Sequence, residues 1–86
     1  DGRKPVGYLT SIRVRGLDHD PVVELRSVSG KLVYSRRIQG MEFNLPVFDY
    51  GPHVVRIGDP DQALWLERTV QPNRQPATTL FFDFTQ

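Results

Sequence analysis

The 86 residues carry eleven Lys and Arg against ten Asp and Glu, a net charge of +1, and no cysteine. So balanced a chain has no global field to draw nucleic acid or an anionic membrane, and without thiols it can form neither disulfides nor thiolate metal sites. Its longest apolar run, Leu80-Phe81-Phe82, falls far short of the ~20 residues that span a bilayer.

The length fits one domain, smaller than a typical enzyme domain. A chain of this size buries only roughly 60–65% of its unfolded surface, so its stability is modest. Five Phe, three Tyr and one Trp must supply much of the core area. The chain opens on Asp1 rather than Met, as expected of a piece cut from a longer polypeptide, and it shows no signal peptide.

Asp1 to Pro5 is polar and aperiodic, a linker or frayed end. From Tyr8 the chain alternates, with Tyr8, Thr10, Ile12 and Val14 on one face and Leu9, Ser11, Arg13 and Arg15 on the other. That period of two predicts a strand with one wet face. Gly16 and the Asp18-His19-Asp20-Pro21 loop end it. Val22–Val28 and Leu32–Ile38 flank Ser29-Gly30-Lys31, where Gly permits a positive φ, and read as a hairpin. Met41, Phe43 and Leu45 alternate with Glu42 and Asn44 as a fourth strand, which Pro46 is expected to end because it has no N–H for the ladder. Phe48 to Pro52 is a corner whose two aromatics plug one end of the fold. His53–Gly58 is a fifth strand, Asp59-Pro60-Asp61 a turn, and Leu64–Val70 a sixth strand containing Trp65. A Pro-rich loop, Gln71 to Pro76, precedes a seventh, Thr78–Thr85.

Seven short strands at this spacing, without one helix-period segment, predict an all-β fold. The expected architecture is a seven-stranded antiparallel β-sandwich, Ig/fibronectin-like or prealbumin-like, over residues 6–86. Its expected core is Ile12, Val14, Val23, Leu25, Leu32, Phe43, Leu45, Val55, Ile57, Leu66, Leu80, Phe82 and Phe84.

No catalytic residue is assigned. Asp18/Asp20 and Asp59/Asp61 alternate as calcium loops do, but each pair offers two carboxylates where Ca²⁺ wants six to eight oxygens. Both read as turn chemistry, so no metal and no cofactor is expected. His19 and His53 lack any metal-ligand or acid–base spacing and read as exposed or hydrogen-bonded histidines. Ser27, Ser29 and Ser35 have no nucleophile elbow. Arg13, Arg15, Arg26, Arg36, Arg37 and Arg56 could line a basic stripe, but Glu24, Glu42 and Glu67 in the same strands are expected to neutralise it through cross-strand pairs. No nucleic acid is expected as a partner. The ligand-binding candidates are Trp65 and Tyr8, as a platform for a glycan; the alternative for Trp65 is core or interface.

Ser29-Gly30-Lys31-Leu32-Val33-Tyr34, the Phe43-x-Leu45-Pro46 strand and the Gly51-Pro52-His53-Val54-Val55 corner resemble carboxypeptidase-regulatory, prealbumin-like modules and the sorting modules of secreted proteins. Those families have Gly-x-Tyr-x-Val at the corner, where this chain has His53. A second resemblance covers residues 2–70. Gly2 to Leu9, Asp20-Pro21-Val22-Val23, Val47-Phe48 and His53 to Pro60 with the Trp65 region are similar to the accessory β-domain that follows the catalytic domain of exported alkaline-phosphatase-D-like metallophosphoesterases. That resemblance implies a non-catalytic accessory module of an exported bacterial hydrolase, periplasmic or extracellular. Its partner would be the neighbouring domain of the same polypeptide. It transfers no metal ligand, since those belong to the hydrolase domain.

Overall fold

The computed structural model describes residues 4–9, 11–72 and 79–85. The fold is all-β, with nine strands in three sheets among the described residues. β1 (Gly7–Tyr8) pairs with β6 (Pro46–Val47); β2 (Ile12–Arg15) lies between β5 (Glu42–Phe43) and β9 (Leu80–Asp83). The largest sheet has the order β4 (Leu32–Arg37), β3 (Val22–Ser27), β7 (His53–Asp59), β8 (Leu64–Val70).

The predicted hairpin forms as β3 and β4, and Gly30 takes a φ of 92° in its turn. Two predicted strands are each divided. The first is cut because its two ends pair with different partners, Gly7–Tyr8 with β6 and Ile12–Arg15 with β5 and β9. Across the break the inward face changes parity: Leu9 is buried and Tyr8 exposed, yet Ile12 and Val14 are buried. Thr10 lies outside the described residues, as do Asp1 to Arg3, residues 73–78 and Gln86. The fourth is cut at Asn44–Leu45, and Pro46 opens β6 instead of ending a strand. As the first residue of a two-residue strand it is in a position where a missing N–H is tolerated.

Antiparallel pairing is not universal. β9 runs parallel to β2, with Ile12 opposite Leu80 and Val14 opposite Phe82. The Leu80 N–H donates to the Ser11 carbonyl at 2.9 Å and the Phe84 N–H to that of Arg15 at 2.8 Å.

Val23, Leu25, Val55 and Ile57 from the four-stranded sheet join Ile12, Val14 and Phe82 from the three-stranded sheet in one core, with Leu9, Leu45, Val47 and Val70. Phe43, Leu66, Leu80 and Phe84 pack on it half-buried. Leu32 does not belong to it. A register shift after Leu25 sets Leu32 opposite Arg26, on the outer face, where 44% of it is exposed. The corner aromatics also part ways: Phe48 meets the Tyr34 ring edge-on at 6.3 Å, while Tyr50 is exposed.

Burial pushes the Tyr34 hydroxyl up to about 12, against the opposing pull of Arg36. That hydroxyl donates to the Pro46 carbonyl at 2.7 Å, tying β4 to β6. Tyr34→Phe should cost about 1 kcal/mol, measurable by urea unfolding.

Candidate functional site

The outer face of the four-stranded sheet is a row of opposed charges. Glu24 stands opposite Arg56, and Arg56 opposite Glu67. Glu24 accepts from Arg56 at 3.3 Å and from Arg26 at 3.1 Å, and Arg56 lies 3.5 Å from Glu67. On β2, Arg13 pairs with Glu42 of β5, its Nε–H donating at 2.7 Å. The three glutamates therefore take up Arg13, Arg26 and Arg56, half of the expected stripe, while Arg36 lies over the Tyr34 ring and Arg37 donates to the Asp20 carbonyl.

Trp65 lies on this outer face, opposite Gly58. Its half-buried ring covers the glycine backbone, and the Arg56 guanidinium sits 4.2 Å from the ring centroid. Trp65 thus shields a glycine in mid-strand and receives a cation–π contact. Tyr8, on β1 in another sheet, is 58% exposed. Near it the Tyr50 hydroxyl donates to the Val6 carbonyl at 2.6 Å, and the Val6 N–H to the Val47 carbonyl at 2.9 Å. Val6, Tyr8 and Tyr50 are each exposed.

His53 is buried at the start of β7, its Nδ1 2.7 Å from the Gly51 carbonyl oxygen, so Nδ1–H is the donor. Its Nε2 faces the Asp49 carboxylate at 3.8 Å.

The two acidic loops, 40 residues apart in sequence, meet. His19 Nδ1 lies 2.7 Å from Asp59 Oδ2. Asp59 ends β7 on the same inward parity as His53, Val55 and Ile57 and is fully buried. Its Oδ1 accepts the Asp61 N–H at 2.9 Å. The contact is flanked by a reciprocal clasp: the Asp18 N–H donates to Gln62 Oε1 at 3.0 Å, and Gln62 Nε2–H to Asp18 Oδ2 at 3.2 Å. Asp20 accepts the Gly40 N–H at 3.1 Å, fixing the loop's other end. His19, Asp59 and Asp61 each present a donor atom within 4.8 Å of the others. The buried position of Asp59 could have been found by extending the 53-55-57 alternation one step; the partnership of Gln62 leaves no local signal.

No protein-family model, curated protein or solved structure matches the chain. The site must therefore be read from its own chemistry.

The hydrogen bond to Asp59, then its charge, hold His19 above its ordinary value of 6.5, with Asp61 and Asp18 adding to the effect. The same bond holds Asp59 below 3.8, against the cost of its burial. The His19–Asp59 contact therefore changes stability with pH at both ends. The His19 contribution is complete below about 6.5 and fades as pH rises through the raised folded value; that of Asp59 is complete above about 3.8 and fades as pH falls through the lowered one. Thermal stability from the pair should peak between these values, and His19→Gln should flatten the decline above neutral pH in a series of melting curves.

Proposed function

We propose that the chain is a non-catalytic accessory module of a larger exported bacterial hydrolase, with a metallophosphoesterase as the first candidate, built as an Ig/fibronectin-like or prealbumin-like sandwich. The carrying observation is the exposed apolar surface where the chain enters the fold. Val6, Tyr8 and Tyr50 are exposed there, and the Tyr50 hydroxyl is tied to the Val6 carbonyl. Exposed apolar groups that lie together offer an interaction surface. A domain joined through residues 1–5 would meet that end at high effective concentration. The resemblance of residues 2–70 to the metallophosphoesterase accessory domain supports the identity of that neighbour. Among the described residues no helix is long and apolar enough to cross a membrane.

The test uses the reading frame that contains this chain, expressed with and without the module and with Tyr8→Glu. Loss of secretion, of melting temperature or of turnover on deletion, and a lowered parent melting temperature for Tyr8→Glu with the isolated module's unchanged, are expected. Unchanged values in all three measurements would remove the reading.

The competing reading is a glycan platform on Trp65 and Tyr8. The half-buried Trp65 favours it; the Arg56 guanidinium on the ring is a contact that a sugar would have to displace. Glycan titration against the fluorescence of the single Trp decides between them, since a saturable change would favour the platform.

A further inference from the structure

We propose that the cleft between the β3–β4 turn and the corner after β6 binds a free α-amino acid with an apolar side chain, its ammonium held between His53 Nε2 and the Asp49 carboxylate. The cleft is open to solvent and has a volume of about 420 Å³, within the range of small-molecule sites. Its walls combine apolar surface with charge of both signs. Leu32, Val33 and Phe48 supply the first, Lys31 and Asp49 the second. Ser27 and His53 complete the lining.

The observation that points to a ligand is an unmet nitrogen on a buried ring. His53 is only 2% exposed. Its Nδ1–H donates to the Gly51 carbonyl, so Nε2 presents a lone pair. Among the described residues Nε2 makes no hydrogen bond. The group that faces it, Asp49 Oδ2, stands 3.8 Å away, beyond hydrogen-bond reach, and is itself an acceptor. Asp49 Oδ1 accepts the Gly51 N–H at 2.8 Å, which fixes the carboxylate with Oδ2 toward the ring. Two acceptors that face each other across a cleft call for a donor between them.

The gap suits a nitrogen. An atom about 2.8–2.9 Å from both acceptors would subtend roughly 80–85°, which two N–H bonds of one ammonium span with each hydrogen bond still bent to only about 160°. The carboxylate favours an ammonium over a neutral hydroxyl, because charge-assisted bonds are about twice as strong. Lys31, of opposite sign in the same cleft, then receives the ligand's carboxylate. The apolar side chain of the ligand lies on Leu32, Val33 and Phe48. The register shift that turns Leu32 outward leaves it 44% exposed, so it has surface to give. Binding is favoured over catalysis by the state of Ser27. It stands opposite His53 in the ladder, but its Oγ lies 2.7 Å from Ser29 Oγ and accepts the Lys31 N–H at 3.2 Å, so the ring does not activate it.

Titration of the purified chain with L-phenylalanine, followed by its amide and imidazole nitrogen-15 resonances, tests this. 2-Phenylethylamine, which lacks the carboxylate, and 3-phenylpropionate, which lacks the ammonium, are the parallel arms. A saturable shift of His53 Nε2 and of the Lys31 and Asp49 amides is expected with phenylalanine, weaker binding with the amine, and the weakest with the acid. Asp49→Asn keeps an Oδ1 acceptor for the Gly51 N–H, so its melting temperature should hold while phenylalanine affinity falls more than about tenfold. Lys31→Ala, at an exposed turn, should weaken phenylalanine about threefold and leave 2-phenylethylamine unaffected. Absence of a saturable shift at His53, or an affinity unchanged in Asp49→Asn, overturns the proposal. Equal binding of 3-phenylpropionate and phenylalanine overturns the placement of the ammonium, and an unchanged phenylalanine affinity in Lys31→Ala overturns the assignment of a zwitterion.

Discussion

Gly58→Ala is expected to destabilise the protein by about 3 kcal/mol, near the upper end for overpacking. A Cβ built at this position would stand 2.0 Å from the Leu64 carbonyl oxygen and 2.8 Å from the Trp65 ring. The ring could swing away. The carbonyl belongs to the neighbouring strand of a seven-residue ladder between β7 and β8 and can move only by disturbing that pairing. The loss should appear as a fall of roughly 12–24 °C in melting temperature for a domain of this size. The double variant Gly58→Ala/Trp65→Ala separates the two obstacles. Its stability should not recover, because the carbonyl clash is untouched; recovery would show that the indole, and not the strand backbone, requires the glycine.

The consequences reach the acidic loops, since Asp59 follows Gly58 and takes its position from the same strand. A shift of β7 at Gly58 moves the carboxylate away from His19 and opens the clasp with Gln62. Gly58→Ala should therefore also weaken the pH dependence of stability that His19 and Asp59 confer, a readout that a purely local cavity or clash elsewhere would leave intact.

Much of this architecture is written in local patterns. The alternation in Val22–Ser27 and His53–Ile57 and the turn at Ser29–Gly30 are all properties of a few adjacent residues, and the strands they predict are present. Period-two reading fails where a strand slips by one residue. That happened between Leu9 and Ile12, where the inward parity reverses, and at Leu25/Arg26, where the shift turns Leu32 outward. Such irregularities are set by which partner strand is available, which is a tertiary property. The parallel pairing of β9 with β2 is equally non-local. The acidic loops were visible as two separate turns, and their meeting depends on a contact between residues 40 positions apart. Proximity of that kind has no periodic signature.

The parallel strand β9 leads to the second large effect. Phe82→Ala should cost about 3–5 kcal/mol, against about 0.5 kcal/mol or less for Phe81→Ala beside it. Phe82 is fully buried, opposite Val14, whereas 53% of Phe81 is exposed opposite Arg13. The difference between neighbours of identical composition isolates burial from β-propensity, because both substitutions change intrinsic preference equally. Phe82 is the only fully buried side chain that β9 contributes, so its removal withdraws the strand's anchor on Val14 and Ile12. A stability of roughly 4–13 kcal/mol, scaled from the usual value per residue, would be largely consumed at the lower end of that range. Urea unfolding followed by the Trp65 fluorescence measures both variants, and amide exchange of Leu80 to Asp83 shows where the loss lies. Phe82→Ala should free those amides first, since among the described residues β9 has β2 as its only strand partner. Similar midpoints for the two variants would mean that β9 is held by its backbone ladder alone.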